Sequence, residues 1–277
     1  DVLGSRGLGD VYKRQVSSNT FDSGNTFIML MLQTGQNIYN EDLYTTDYNS
    51  MKTTDIKNVN LTNFMTQDSI RVFEQWTKFY TVFSFDQTFD AFSRFRTGEM
   101  PLVVQPYTFY NQLSVAAPEI KGLWDFTLVP GTKQADGTIN HAANSAGSGA
   151  VIFNKVSNQA AAWDFVKWFT STDIQVDYGK QIEALMGPMG RFDTANVEAL
   201  EQLPWSTAEY EKISSQQSYL REVPIIPASY AVTRHINNAF RMVVNDAGNP
   251  RYTLMSYNDQ IKSEIVRKYQ ELSSVKK

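Results

Sequence analysis

Three short apolar runs rich in β-forming residues constrain this chain most: Met100–Gln105, Trp124–Pro130 and Ala150–Phe153. Segments with helical spacing lie between or beside them, so any sheet is reached by crossover connections more than by hairpins. Helix signals dominate the remainder. Thr20 to Gln33 reads as a buried helix closed near Gly35. Asp68 is placed to cap a helix whose apolar face is Ile70, Phe73, Trp76, Tyr80 and Phe83. Phe89, Phe92 and Phe95 form a short helix ended by Gly98. Ser157 opens a helix from Ala160 to Phe169 that is expected to bury Ala162, Phe165, Val166 and Phe169.

Farther on, Ser206-Thr-Ala-Glu209 is a capping box, in which serine and glutamate satisfy each other's helix-end amides. Tyr230 to Asn245 buries Ile236, Ala239, Phe240 and Val243. A last helix, from about Asn258 to Leu272, buries Ile261, Ile265, Tyr269 and Leu272. The expected class is α/β with helices dominant.

The segment Ser5–Gln15 stands apart. The codons GAT GTG TAT AAG AGA CAG encode Asp10–Gln15, so the stretch reads as an in-frame translation of a sequencing adapter. On that reading residues 1–15 are a non-native, adapter-derived segment and the native chain starts near Val16. A flexible basic arm is the alternative.

Composition narrows the function. A net charge of -4 disfavours a phosphate-backbone binder, so no nucleic-acid partner is expected. The longest apolar run, Phe27–Leu32, is far too short to span a membrane. Without cysteine there is no thiol nucleophile and no thiolate zinc site. His141 and His235 lack a metal-ligand spacing, and Gly147-Ser-Gly149 is neither a phosphate loop nor a nucleophile elbow. No metal, cofactor or catalytic residue is expected. Asp86, Asp90, Glu99 and Asp125 are candidates for carboxylate chemistry only by availability, and surface solvation explains each more simply.

What remains is aromatic and small polar residues at strand ends, where ligands of α/β folds gather. A sugar offers an apolar C–H face and a hydroxyl rim, and rings and amides suit both. Tyr107 and Tyr230 are the expected ring contacts, with Phe109 a weaker one. Gln105, Asn144, Ser145 and Ser148 are the expected hydrogen-bonding partners. Arg191, after Gly187-Pro-Met-Gly190, reads more simply as a surface charge.

Four segments in order carry a family resemblance. They are Phe92–Tyr107, Trp124–Gly131, Ser148–Lys155 continuing into Asn158–Phe169, and Val223–Phe240. Together they resemble bacterial extracellular solute-binding proteins of family 1, the receptors of ABC importers of the maltose and oligosaccharide type. The chain departs from that pattern at Gln105-Pro106-Tyr107, where the family has Gly-Pro-Trp or Gly-Ser-Trp; a smaller ring means less stacking area. On this resemblance the first half of the family's sequence is expected to be missing from the chain, and that half would hold the lipoprotein signal, its anchoring cysteine and most of the N-terminal lobe.

The resemblance implies a type II periplasmic-binding-protein-like fold of two lobes, incomplete and helix-rich. Residues 16–135 and 205–277 would form the C-terminal lobe and 140–200 the remaining part of the N-terminal lobe. It implies a monomeric extracellular receptor, either a cell-surface lipoprotein or periplasmic, held to a membrane only through a missing N-terminal lipid anchor. Its partners would be a carbohydrate ligand and the ABC permease transmembrane subunits, and lobe closure would trap the ligand without catalysis. Peptides and polyamines are alternative solutes. A polysaccharide hydrolase or lyase is the alternative activity and needs two converging carboxylates. An interaction protein with no small ligand is the third reading.

Overall fold

The computed structural model describes residues 17–18, 23–50, 52, 55–145 and 149–275. The adapter-like segment and Ser148 lie outside the described residues. In chain order the helices are α1 (Ser23–Leu32), α2 (Asp42–Thr45), α3 (Gln67–Thr81), α4 (Ala91–Arg96), α5 (Thr108–Ala116), α6 (Gln159–Phe169), α7 (Thr172–Met186), α8 (Val197–Gln202), α9 (Thr207–Ser218), α10 (Ser229–Val244) and α11 (Pro250–Val275). Two-residue strands pair as β1 (Ser17–Ser18) parallel to β2 (Val103–Val104), β3 (Thr132–Lys133) antiparallel to β4 (Ile139–Asn140), and β5 (Ala143–Asn144) parallel to β6 (Leu220–Arg221).

The chain divides into two compact units. The first is Asp1–Val104, Val129–Ser145 and Tyr219–Lys277; the second is Gln105–Leu128 and Ala146–Ser218.

The first unit is built on aromatic packing between α1, α3, α10 and α11. Trp76 of α3 is fully buried, stacked on Phe240 at 4.4 Å and on Phe27 at 5.8 Å, with Phe73 edge-on at 5.8 Å. Ile70, Phe73 and Trp76 face inward as their spacing predicts, but α3 stops at Thr81 and leaves Phe83 exposed. Thr66, not Asp68, caps α3: its backbone is extended and its Oγ1 accepts the Ser69 N–H. Asp68 already lies inside the first turn, where its carboxylate suits the positive helix end and takes Arg71 at 2.7 Å. The last helix starts eight residues before Asn258, because Pro250 suits a first helical position and the Asn249 side chain accepts the Tyr252 N–H at 3.1 Å. Ile261 and Ile265 are buried; Leu272 is exposed, and Tyr269 stacks on Tyr48 at 4.3 Å.

Buried Gln33, at the end of α1, ties that helix to residues 129–145. Its Nε2 donates to the carbonyls of Pro130 and Ala142, its Oε1 accepts from Thr132, and its carbonyl accepts from Gln134. Residues 132–140 form a hairpin of β3 and β4, turned at Gly137 with φ 87°.

His235 on α10 is buried, and neither ring nitrogen has a hydrogen-bond partner among the described residues. Burial, with the neighbouring Arg234 charge, holds its pKa below the ordinary 6.5; Glu264 opposes this more weakly. The folded state therefore prefers the neutral ring, while the unfolded chain binds a proton near pH 6.5. Stability from this position is full above pH 6.5 and falls as the pH drops toward the depressed value. Thermal unfolding of the wild type should lose several degrees more than His235→Leu between pH 7 and pH 5; parallel curves would show that the ring stays uncoupled from folding.

In and beside the second unit the structure overturns four expectations. Trp124–Pro130 and Ala150–Phe153 are not strands: their backbone is irregular and pairs with no strand among the described residues. β-propensity needs a neighbouring strand to become a ladder. Helix α6 forms as expected, capped by Asn158 rather than Ser157, since the Asn158 Oδ1 accepts the Ala161 N–H at 3.0 Å. None of its residues is buried: Phe165 and Phe169 are exposed, Ala162 and Val166 only partly covered.

Candidate functional site

Pro106 fixes the exit from β2, and α5 begins directly behind it. Helical spacing sets Tyr107, Tyr110, Asn111 and Ser114 on one side of α5. Around that side the second unit gathers an aromatic cluster. Tyr107 lies parallel to Tyr110 at 6.1 Å and edge-on to Trp205 at 5.6 Å. Tyr110 meets Trp124, Phe126 and Trp205 at 5.5, 5.5 and 5.7 Å. Leu200, Leu203 and Ile213 are buried behind these rings.

Arg191 sits among these rings. Its side chain is only 14% exposed, with the guanidinium 4.7 Å from the Trp205 ring centre and 5.4 Å from that of Tyr110. Nε and Nη2 donate to Glu183 Oε1 at 3.1 and 2.9 Å, and Nη1 donates to the Tyr110 hydroxyl at 2.6 Å. That hydroxyl donates in turn to Glu209 Oε1 at 2.5 Å, while Asn111 Nδ2 donates to the Arg191 carbonyl. The surface-charge reading of Arg191 is therefore corrected. Its partners come from α5, α7 and α9, which no local spacing connects. The capping box does form as expected, with Glu209 N donating to Ser206 Oγ and Ser206 N to Glu209 Oε2. Its glutamate uses the other carboxylate oxygen for Tyr110.

Electrostatics follow from these contacts. Burial pulls the Arg191 pKa down, but Glu183, Tyr110 and Glu209 outweigh it and hold the guanidinium charged. Burial raises Glu209, yet hydrogen bonds from Tyr110 and Ser206 and the Arg191 charge bring it below its ordinary value. Burial and the Glu209 carboxylate push Tyr110 up to about 12. Burial drives Tyr107 higher still, so its phenol stays neutral. A general acid at neutral pH needs a raised carboxyl pKa; Glu209 has the opposite. Among the described residues, the Tyr107 hydroxyl, Trp205 Nε1 and Asn111 Oδ1 of the cluster are buried with no hydrogen-bond partner. Rings with two donors and an acceptor to spare suit a hydroxylated ligand.

The other expected site residues are distributed between the units. Gln105 and Tyr107 belong to the second, Asn144, Ser145 and Tyr230 to the first. Asn144 lies in β5, and the Ser145 N–H donates to the Arg221 carbonyl at 3.1 Å. Tyr230 is exposed on α10, its ring 5.7 Å from the Arg234 guanidinium. A hollow of ≈ 100 Å³ near Tyr39, Ile225 and Ser229 is not lined by Tyr230 and is small for a sugar ring. Three available carboxylates have structural employment: Asp86 pairs with Arg94 at 2.6 Å, Asp90 caps α4, and Asp125 pairs with Lys212 at 2.5 Å. Sequence reasoning missed Trp205, Glu183, Glu209 and Asn111 as site residues; only the capping box gave any signal, and only for Glu209.

Residues 10–203 match the family model described as bacterial extracellular solute-binding protein. No curated protein matches the chain. Among solved structures, it is similar to an ABC transporter solute binding protein from Thermotoga lettingae TMO bound with alpha-D-tagatose. That match has a TM-score of 0.63 and 15% identity, over 91% of this chain and 59% of that one. The maltose-maltodextrin binding protein of Alicyclobacillus acidocaldarius matches with TM-score 0.55 and 14% identity, over 93% of this chain and 64% of that one. A cyclo/maltodextrin-binding protein complexed with maltotetraose matches with TM-score 0.56 and 16% identity, over 91% and 59%. The likeness is one of fold, the type II periplasmic-binding-protein-like, helix-rich fold expected from the sequence. The chain spans less than two thirds of the length of each of these structures.

Proposed function

Since the chain belongs to the bacterial extracellular solute-binding proteins, we propose that it serves an ABC importer as a carbohydrate receptor. It binds a sugar outside the cell and passes it on unaltered. The aromatic cluster at Tyr107, with its three unpartnered polar atoms, carries this reading. Ring faces take the C–H face of a sugar, and the Tyr107 hydroxyl, Trp205 Nε1 and Asn111 Oδ1 take hydroxyls. Gln105, in the same unit as Tyr107, supplies a further contact. The neighbours' ligands, alpha-D-tagatose and maltotetraose, favour carbohydrate over peptide or polyamine.

In the complete receptor the two lobes are drawn from the two compact units, so that residues 105–128 accompany 146–218 and Tyr110 and Arg191 stay in one lobe. Ligand favours the closed arrangement by binding it more tightly than the open one, and the permease's transmembrane subunits recognise that closed form. The protein works as a monomer, periplasmic or held at the cell surface by an N-terminal lipid.

Calorimetric titration with maltotetraose and with α-D-tagatose tests this. Tyr107→Ala should weaken binding roughly 10- to 100-fold, as loss of a stacking anchor does. An unchanged affinity removes Tyr107 from the site, and release of smaller saccharides during the titration points instead to the hydrolase or lyase.

A further inference from the structure

Residues 191–194 join no helix or strand, and the Arg191 backbone is extended, with φ -61° and ψ 116°. Successive side chains of an extended segment point to opposite sides. Phe192 and Thr194 turn one way: the Phe192 ring meets Tyr178 at 5.1 Å, and Thr194 Oγ1 donates to Gln175 Oε1 at 2.9 Å. Arg191 turns the other way, onto the rings of Tyr110 and Trp205. Asp193 shares the Arg191 side, and its carboxylate acts on the Tyr107 hydroxyl more strongly than the Arg191 guanidinium does. The residue keeps open surface, so a solute can reach it. The protein around its carboxyl is still dense enough to hold its pKa above the ordinary value.

Charge does not balance here. Arg191 gives Nε and Nη2 to Glu183, and its Nη1 is 3.8 Å from Glu209. Lys212, beside the Phe126 ring, pairs with Asp125 at 2.5 Å. Asp193 has neither a cation nor a hydrogen-bond donor among the described residues. The carboxylates of Glu183, Glu209 and Asp193 therefore share one guanidinium, in the same cluster as the unpartnered Tyr107 hydroxyl, Trp205 Nε1 and Asn111 Oδ1.

We propose that Asp193 sets the charge preference of this site: it pairs with the ammonium group of an amino sugar and repels sugars that bear carboxylate or phosphate. This narrows the carbohydrate reading above and rests on it. Taking a carboxylate out of water costs free energy, and an arriving cation offsets that cost. Ring faces attract an ammonium as well. An ammonium offers three N–H donors and no acceptor. Asp193 accepts from it, and Asn111 Oδ1, on the side chain that holds the Arg191 carbonyl, is a second acceptor. The sugar's own hydroxyls remain for the Tyr107 hydroxyl and Trp205 Nε1. A uronic acid or sugar phosphate meets an excess of like charge, because Arg191 is already engaged by Glu183 and Tyr110. A neutral sugar keeps the ring and hydroxyl contacts and forgoes the ion pair, so it binds less tightly.

The test is calorimetric titration of the 277-residue chain at about pH 6.5, where an aliphatic amine is protonated. The probes are glucosamine, glucose and glucuronate, the matching galactosamine, galactose and galacturonate, and maltotetraose and spermidine. In at least one series the amino sugar should bind at least tenfold more tightly than its neutral counterpart, and the uronate at least tenfold less tightly. Asp193→Asn, nearly the same shape and removed from no protein partner, should abolish the preference for the amine. Asp164→Asn removes the same charge from exposed α6, where Asp164 pairs with Lys167, and should keep the preference. Thermal unfolding of both variants checks that they are folded. A neutral sugar bound as tightly as any amino sugar, a uronate bound more tightly, or a preference that survives Asp193→Asn overturns the proposal and leaves the carbohydrate reading standing. Failure to bind any saccharide, whether or not spermidine binds, overturns both.

Discussion

Trp76→Ala should destabilise the first unit by about 3–5 kcal/mol, the range for truncating a fully buried large aromatic residue. The indole fills the space between α1, α3 and α10 and touches Phe27, Phe73 and Phe240. Three rings lose a common neighbour, and close-packed surroundings relax only partly into the void. Urea unfolding followed by far-ultraviolet circular dichroism reads the effect as a lowered midpoint. Trp163→Ala on α6 is the internal comparison: the same side chain removed from a half-exposed position should cost less than about 1 kcal/mol. Trp76→Phe should cost much less than Trp76→Ala, because a ring still fills most of the space and the unpartnered buried Trp76 Nε1 disappears. Equal costs for Trp76→Ala and Trp163→Ala would show that the aromatic interior of the first unit is not its main source of stability.

Arg191→Met carries the second large effect, about 2–3 kcal/mol on the second unit. Breaking a fully buried ion pair costs about 3–5 kcal/mol; some water still reaches Glu183 and Glu209, 16% and 25% exposed, and lowers the figure. Two carboxylates would then face each other without the cation, and Trp205 and Tyr110 would lose the guanidinium beside their rings. Acid should soften the defect. Glu209 has a folded-state pKa below its ordinary 4.5, so its contribution is present above that value and fades as the pH falls through the depressed one. The difference in midpoint between wild type and Arg191→Met should therefore stay level from pH 7 down to about 4.5 and shrink only below it. Arg191→Lys keeps the charge but not the planar fork that reaches Glu183 with two nitrogens, and should fall between them. A pH-independent deficit would mean that Arg191 acts through packing alone.

Reading ahead from the sequence succeeded where one segment holds all the information. The core side of α10, the Ile261 and Ile265 positions of α11 and the Ser206–Glu209 box are properties of residues three or four apart, and the structure has them as expected. It went astray where a second segment decides. Thr66 displaces Asp68 because cap geometry depends on which residue leaves the helix first. Trp124–Pro130 and Ala150–Phe153 have strand composition without a strand to pair with. The candidate site was legible as Tyr107, a ring behind a strand-ending proline; Arg191 looked solitary because Glu183, Glu209 and Tyr110 reach it from three different helices.

The sequence by itself determined the helices, their apolar sides and the family, since periodicity, capping and ordered motifs are written along the chain. Only the tertiary structure decided the surroundings of each side chain: that Arg191 is enclosed by rings and carboxylates, and that the rings of α6 face water. Exposure and electrostatic partnership depend on which segments pack together, and helical spacing specifies one side of a helix without specifying what meets it.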